Sequence, residues 1–311
     1  MPGNSVDEKD SSGMQTPPPS QHSPEEDARV TAVIDCSTMR LGDRMACAWM
    51  AQQRHRTTGE RFALIDRHPV LSRDFPLPRY FGETFVDWSE ARIAAAALPR
   101  WDMGNLWLTV TNAFAANPRA GRFEMLPADI AAQARELAAA TPGGKPRILV
   151  HVLDDAPYNM ARRWRRKDAD ALCDELRRLG GEVVLLNPAS AQFIGGFERM
   201  LAEMLAADLF VGGDTGPSHV FALLCADKPQ VAVYPSMRKD QRKFAADQAH
   251  LGLALPWDSL PKRPALRVIT MKRRLALIWH ERQLLLRRAG LFDGRDVARQ
   301  VMAELAAHTK G

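Results

Sequence analysis

Aspartate, threonine, serine and histidine crowd among three glycines and a proline in Gly212-Gly213-Asp214-Thr215-Gly216-Pro217-Ser218-His219. Gly212, Gly213 and Gly216 would let a main chain approach a ligand closely. Pro217 suits the opening of a helix, where its missing N–H would be unpaired anyway. The free N–H groups of Ser218 and His219, at the positive end of the helix dipole, are then placed to receive a pyrophosphate. Asp214 would not face a phosphate comfortably and is better suited to accept hydrogen bonds from sugar hydroxyls. The plainer alternative, that Asp214 or Thr215 only caps the helix, stays open here.

A second cluster is Arg162-Arg163-Trp164-Arg165-Arg166-Lys167. Five cations in a strand–helix loop can clamp a diphosphate, each guanidinium pairing two oxygens. Arg162 and Arg163 are read as ligand contacts; Arg165, Arg166 and Lys167 as a solvated face. His151 and His280 each sit in an apolar run, where a packed, hydrogen-bonded imidazole is expected. Cys36, Cys47, Cys173 and Cys225 form no CxxC pair, which argues against a disulfide framework or a zinc knuckle and fits a reducing compartment.

These residues need strands and helices to position them, and the apolar pattern supplies both. Val30 to Ile34 reads as a buried strand, followed by a polar turn from Ser37 to Asp43. Met45, Ala46, Trp49 and Met50 then recur at helical spacing, and Phe62 to Ile65 forms a second strand, so a parallel βαβ unit is expected. Between 68 and 127 only Leu106 to Val110 reads clearly as strand. A helix over Ile130 to Ala140 ends at Thr141-Pro142-Gly143-Gly144, the best linker in the folded part. Arg147 to Leu153 is a continuous apolar strand. After it come a helix over Asp168–Leu179, a strand over Glu182–Leu186, a helix over Phe197–Ala206 and a strand over Asp208–Val211. A helix over Pro217–Cys225 and a strand over Gln230–Tyr234 close the series. Such alternation predicts a Rossmann-like domain, with the 212–219 segment at a strand's carboxyl end, where open parallel sheets bind ligands. Trp279, Leu284 and Leu285 with Arg273, Arg274, Arg287 and Arg288 suggest a basic amphipathic helix, packed or lying on an anionic membrane face.

Composition limits the function classes. With 46% hydrophobic and 25% charged residues in 311, wholesale disorder and fibrous repeats are excluded. Residues 1–28 carry six acids against one base, three consecutive prolines and little to bury, so an acidic disordered tail is expected. The remaining residues carry +10, and 33 of the 42 cations are arginine. Such a body suits a polyanionic partner, although genomic base composition explains many of these arginines equally well. No apolar run approaches the ~20 residues that span a bilayer, and the acidic start is not a secretory signal, so a cytoplasmic location is expected.

From Ile148 to Tyr234 the chain resembles the C-terminal domain of glycosyltransferase family 9, the lipopolysaccharide heptosyltransferases. The resemblance rests on three features in order: a strand with His151 followed by Arg162-Arg163-Trp164; helix, glycine and strand over Leu172–Leu186; and Ala207-Asp208-Leu209 leading into Gly213-Asp214-Thr215-Gly216-Pro217-Ser218-His219. Arg29 to Ile34, Ser37-Thr38-Met39 and Leu41-Gly42-Asp43 are similar to that family's first strand and its Gly-Asp turn. The resemblance implies an α/β fold of GT-B type, two Rossmann-like parallel-sheet domains facing across a cleft. It also implies inverting transfer of a sugar from a nucleotide-diphosphate donor, ADP-heptose among the candidates, to a lipopolysaccharide or other glycan acceptor. No metal and no further cofactor would be needed. Asp43 would be the general base, Arg162 and Arg163 would stabilise the departing diphosphate, and Asp214 with Gly213 would hold the donor sugar. Thr215, Gly216, Ser218 and His219 would line the phosphate site. Asp43 and Ile148 stand closer in sequence than a full acceptor domain requires, so a shortened N-terminal domain is expected.

The domain layout that follows is an acidic tail over 1–28, an acceptor-side domain over 29–143, a donor-binding domain over 144–270, and C-terminal helices over 271–311 returning to the first domain. Peripheral contact with an anionic inner membrane is a further expectation; nucleic acid is not expected. Two rival readings remain at this point: a non-catalytic GT-B protein that binds nucleotide sugars or glycans, and a basic nucleic-acid-binding protein. The second lacks a zinc finger, RNP-like aromatics or a recognisable helix-turn-helix.

Overall fold

Short apolar segments separated by amphipathic stretches fold here into two sheets, one parallel throughout and one parallel but for an antiparallel edge strand. The computed structural model describes residues 29–39, 41–101, 126–152, 164–186, 196–213, 215–225, 227–235, 266–280 and 283–309. The acidic tail and the expected strand Leu106–Val110 lie outside the described residues.

The first sheet contains β1 (Val30–Asp35), β2 (Arg61–Ile65), β3 (Phe85–Val86) and β4 (Arg100–Trp101), in the order β3-β2-β1-β4 and parallel throughout. The helix α1 (Leu41–Thr58) connects β1 to β2. It starts at Leu41, so the polar turn after β1 is shorter than expected and Asp43 falls in the first helical turn. The dense proline and aromatic stretch after β2 resolves into α2 (Leu71–Asp74), α3 (Leu77–Phe81) and α4 (Glu90–Ala95). Pro78 fits the opening of α3, and the Ser89 hydroxyl accepts the Arg92 N–H to cap α4.

The long helix α5 (Ala128–Ala139) leads into a 3₁₀ turn, Pro142–Gly144. Gly143 and Gly144 there have φ of 62° and 68°, left-handed values that glycine adopts without strain. The second sheet then builds from β5 (Arg147–His151), β6 (Glu182–Leu185), β7 (Leu209–Gly212) and β8 (Gln230–Pro235), joined by α6 (Arg166–Arg178), α7 (Gly196–Ala206) and α8 (Gly216–Leu224). All five residues of β5 are buried, as its apolar run requires for a strand covered on both faces.

Residues 271–291 are not a helix. They belong to β9 (Leu266–His280) and β10 (Gln283–Leu291), an antiparallel hairpin that adds to β8 and gives the sheet order β10-β9-β8-β7-β5-β6. Leu275, Leu277 and Trp279 recur every second residue, and the register sets Leu286 opposite Leu277 and Leu284 opposite Trp279. The free edge of β8 selects this period-two arrangement over the helical one.

The last helix, α9 (Gly294–His308), also departs from expectation. It docks on α6 in the second half of the chain and does not cross back to the first. Val297, Ala298, Val301 and Leu305 recur on one face and bury against Ala169, Leu172, Cys173 and Leu176. Gly294 permits the approach, because a Cβ there would meet the Leu172 backbone nitrogen at 2.5 Å and the Asp168 carbonyl.

One buried cluster runs through both halves. It joins α1 and the aromatic residues after β2 to α5, α7 and α8. Phe197 of α7 lies 4.2 Å from Phe75 and 5.8 Å from Tyr80, ring centre to ring centre. At the edge of this core Arg44 is fully buried. Its guanidinium forks onto the Asp66 carboxylate and also donates to the carbonyls of Cys36, Leu71 and Phe75. One cation therefore ties the carboxyl ends of β1 and β2 to α2. Removing either partner strands a charge in a dry site.

Replacing Arg44 with alanine should destabilise the protein by about 3–5 kcal/mol in urea unfolding, since Asp66 would lose its buried counter-ion. Gly294→Ala should lower stability by about 1–3 kcal/mol, the cost of forcing a methyl against backbone that cannot move aside.

Candidate functional site

Strand order reverses direction between β5 and β7, since β6 extends one side of β5 while β7 and β8 extend the other. Ligands bind parallel sheets in the crevice outside the carboxyl ends at such a point. Here those ends are His151 on β5 and Gly212 on β7, which are register partners. The turn Gly213–Thr215 leads from β7 into α8, with Thr215 as N-cap in extended conformation and Pro217 in the first turn. The expected motif therefore occupies the place its sequence suggested.

A chain of hydrogen bonds crosses this reversal. Thr215 Oγ1 lies 3.2 Å from His151 Nδ1 and 3.3 Å from Ser218 Oγ, and the Ser218 hydroxyl donates to the Gly213 carbonyl. Ser218 is fully buried, and its own carbonyl accepts from Gln230 Nε2 at 3.0 Å. Each link holds one proton. Because the Ser218 proton goes to Gly213, Thr215 must donate to Ser218 Oγ, and His151 Nδ1–H must donate to Thr215. The chain thus assigns the Nδ1–H tautomer of a neutral imidazole. Burial agrees, holding the His151 pKa down to about 4.

Committing these protons settles what the turn can offer. The hydroxyls of Thr215 and Ser218 have no proton left for a phosphate, so Ser218 is a strap that holds the turn and not a side-chain ligand. What remains is the set of first-turn N–H groups that any helix start leaves unpaired. Thr215 and Gly216 are half-buried, whereas Gly213, Pro217 and Ser218 are buried, so the turn opens at its middle. Gly212 serves packing: a Cβ there would stand 2.5 Å from the Phe210 ring and 2.8 Å from Ser218 Oγ.

The other expected site residues divide by place. Asp43 lies in the first turn of α1, and α1 packs against α8, which brings its helix beside the motif helix. His219 lies on α8. The side chains of Asp43 and His219, and the whole of Arg162, Arg163 and Asp214, are outside the described residues. Arg166 pairs with Asp170 at 2.9 Å on an exposed face, as expected, whereas Arg165 is half-buried and forks onto the buried Asp168 carboxylate at 2.8 Å, so it is not part of a solvated face. His151 is the packed, hydrogen-bonded histidine its apolar run implied. Of the four cysteines, all are buried, and burial pushes the Cys36 thiol up to about 12, which leaves it inert as a nucleophile. Among the described residues no three His, Cys, Asp or Glu gather where they would hold a metal ion, and no helix is long and apolar enough to cross a membrane.

Sequence reasoning missed two residues. Arg44 stands in the stripe of Leu41, Cys47, Ala48 and Ala51, all buried; a cation on an apolar helix face was the available signal. The other, Trp164, is 1% exposed and packs edge-on against Phe292 at 4.8 Å. Its signal was an aromatic ring within a run of five cations.

No protein-family model matches the chain, and no curated protein matches it. Solved structures with a similar fold include the Escherichia coli ADP-heptose LPS heptosyltransferase II, 16% identical, with a TM-score of 0.55 over 90% of this chain and 100% of that one. Another is a glycosyl transferase family 9 protein from Veillonella parvula DSM 2008, 13% identical, with a TM-score of 0.47 over 78% of this chain and 86% of that one. The fold is GT-B-like, as in the first of these.

Acidification should reveal the His151 environment. Its folded pKa lies below the unfolded value near 6.5, so the unfolded chain binds the proton more readily, and stability falls as pH drops from about 6.5 toward 4. Between pH 7.5 and 5 this one group should remove roughly 2 kcal/mol. Urea unfolding of His151→Gln should lack that part of the pH dependence.

Proposed function

We propose that the chain is a glycosyltransferase that moves a sugar from a nucleotide-diphosphate donor to a glycan acceptor. The observation that carries this reading is the β7–α8 turn: an open helix start at the reversal of the sheet, its hydroxyls tied inward and its N–H groups left for an anion. The likeness of the fold to a heptosyltransferase, and the Asp-Thr-Gly-Pro-Ser-His run at this turn, support the same choice. ADP-heptose is the first donor to test.

The reaction is a single displacement with inversion. The carboxylate of Asp43, at the start of α1, takes the proton of an acceptor hydroxyl. That oxygen attacks the anomeric carbon as the bond from carbon to the phosphate oxygen breaks, and the diphosphate leaves with the electron pair. Arg162, Arg163 and the first-turn N–H groups of α8 stabilise the charge that grows on it, work that a divalent ion would otherwise do. Asp214 holds the sugar hydroxyls, with Gly213 giving them room. His219 lines the pocket beyond Gly216. The acceptor is a lipopolysaccharide precursor or a related glycan.

A thermal-shift screen against ADP-, UDP- and GDP-sugars tests the donor. A rise in melting temperature with one of them is expected, and a flat response to all three would overturn the proposal. With the active donor, Asp43→Asn should reduce turnover by about 10²–10⁴-fold while leaving the thermal shift in place. Donor binding with no turnover in the unaltered protein would instead leave a nucleotide-sugar-binding protein.

A further inference from the structure

The Trp164 indole is buried beside the β7–α8 turn, and its Nε1–H has no hydrogen-bond acceptor. The nitrogen faces Gly213. A Cβ built on that glycine would lie 3.5 Å from Nε1, 3.7 Å from the Val233 carbonyl oxygen and 3.7 Å from Thr215 Cγ2. The rest of the ring is well packed, against Phe292 and within the cluster of Ile148, Val150 and Val211. A phenylalanine would keep an aromatic ring there with no polar atom to strand, at the cost of a small cavity. An orphaned buried N–H costs about 1–3 kcal/mol, and native proteins seldom carry one without a use.

We propose that the Trp164 indole N–H is a ligand donor, reserved for a phosphate oxygen seated at the start of α8. This rests on the reading of that turn as the site of the donor diphosphate. The Val233 carbonyl also borders this space, but the remaining polar groups are of one kind. The indole N–H and the first-turn N–H groups all donate, and the dipole of a nine-residue helix adds positive potential. The hydroxyl protons of Thr215 and Ser218 are spent on Ser218 Oγ and the Gly213 carbonyl, so they do not compete for the ligand. An acceptor-rich anion is what such a set can hold. Gly213 keeps open the space next to Nε1 that a side chain would fill.

Isothermal titration of the full chain and of Trp164→Phe with ADP, UDP, GDP and inorganic pyrophosphate tests this. The substitution removes the donor together with the pyrrole half of the indole, and keeps an aromatic ring against Phe292. For the nucleotide that binds the unaltered protein, Trp164→Phe should weaken binding by about tenfold, the worth of a hydrogen bond to a charged group. Its melting temperature without ligand should fall modestly through the cavity that the smaller ring leaves, so binding is compared well below that transition. Pyrophosphate should lose affinity by a similar factor if the oxygen belongs to phosphate, whereas loss with the nucleotide alone would assign the indole to sugar or base and overturn the proposal. Equal affinity for both proteins would overturn it as well and leave the donor reading intact. Binding of no probe by the unaltered protein would remove the donor reading itself. Should Trp164→Phe not fold, indole ¹H–¹⁵N spectra of the unaltered protein give the answer, since seven tryptophans give seven resonances. One slowly exchanging indole proton should move downfield on saturation, and seven unmoved resonances would overturn the assignment.

Discussion

The site depends on a short file of protons running from His151 through Thr215 and Ser218 to the Gly213 carbonyl. A glycine-bounded turn has many conformations open to it, and each hydrogen bond in this file removes some. His151 comes from β5 and the others from β7 and α8, so the file also fastens two strands at the point where the sheet reverses direction. Its burial favours a neutral imidazole. A charged ring could keep its Nδ1–H bond but would place a full charge where burial offers no solvent, and the low pKa of His151 expresses that penalty.

The chemistry that the turn can perform follows from what the file consumes. Threonine and serine beside a phosphate site usually invite the reading that their hydroxyls bind the ligand. In this chain their protons point elsewhere, so the proposed anion site would rest on main-chain N–H groups and the indole of Trp164. A main-chain cradle recognises shape and charge and is insensitive to which sugar or base is attached. Under that proposal, selection between donors would come from other side chains, Asp214 being the one proposed for the sugar.

Much of this was legible before any coordinates, and the exceptions have physical causes. The strand Arg147–His151 announced itself because burial on both faces leaves no room for polar residues. The turn at 212–219 was readable because its signals are local: glycine, an opening proline and small polar residues within one helical turn. The bond between His151 and Thr215 spans 64 residues and exists only once β5 and β7 are neighbours. Arg44 was overlooked for a similar reason, since its partner Asp66 stands 22 residues away on the end of another strand. Over 271–291 the leucines, alanine and arginines favour helix intrinsically, yet the same residues also alternate with period two. Only the unpaired edge of β8 decides between the two, and no local window contains it.

The buried cluster that runs through both halves has an evolutionary consequence. Phe75 and Tyr80 come from the first half and Phe197 from the second, and their rings lie within 6 Å of one another. Neither half is thus a self-contained module that recombination could graft onto a foreign partner. An exchanged half would arrive with the wrong aromatic shape at the seam and leave apolar rings wet. Changes at this seam must therefore be matched on both sides to keep the rings dry.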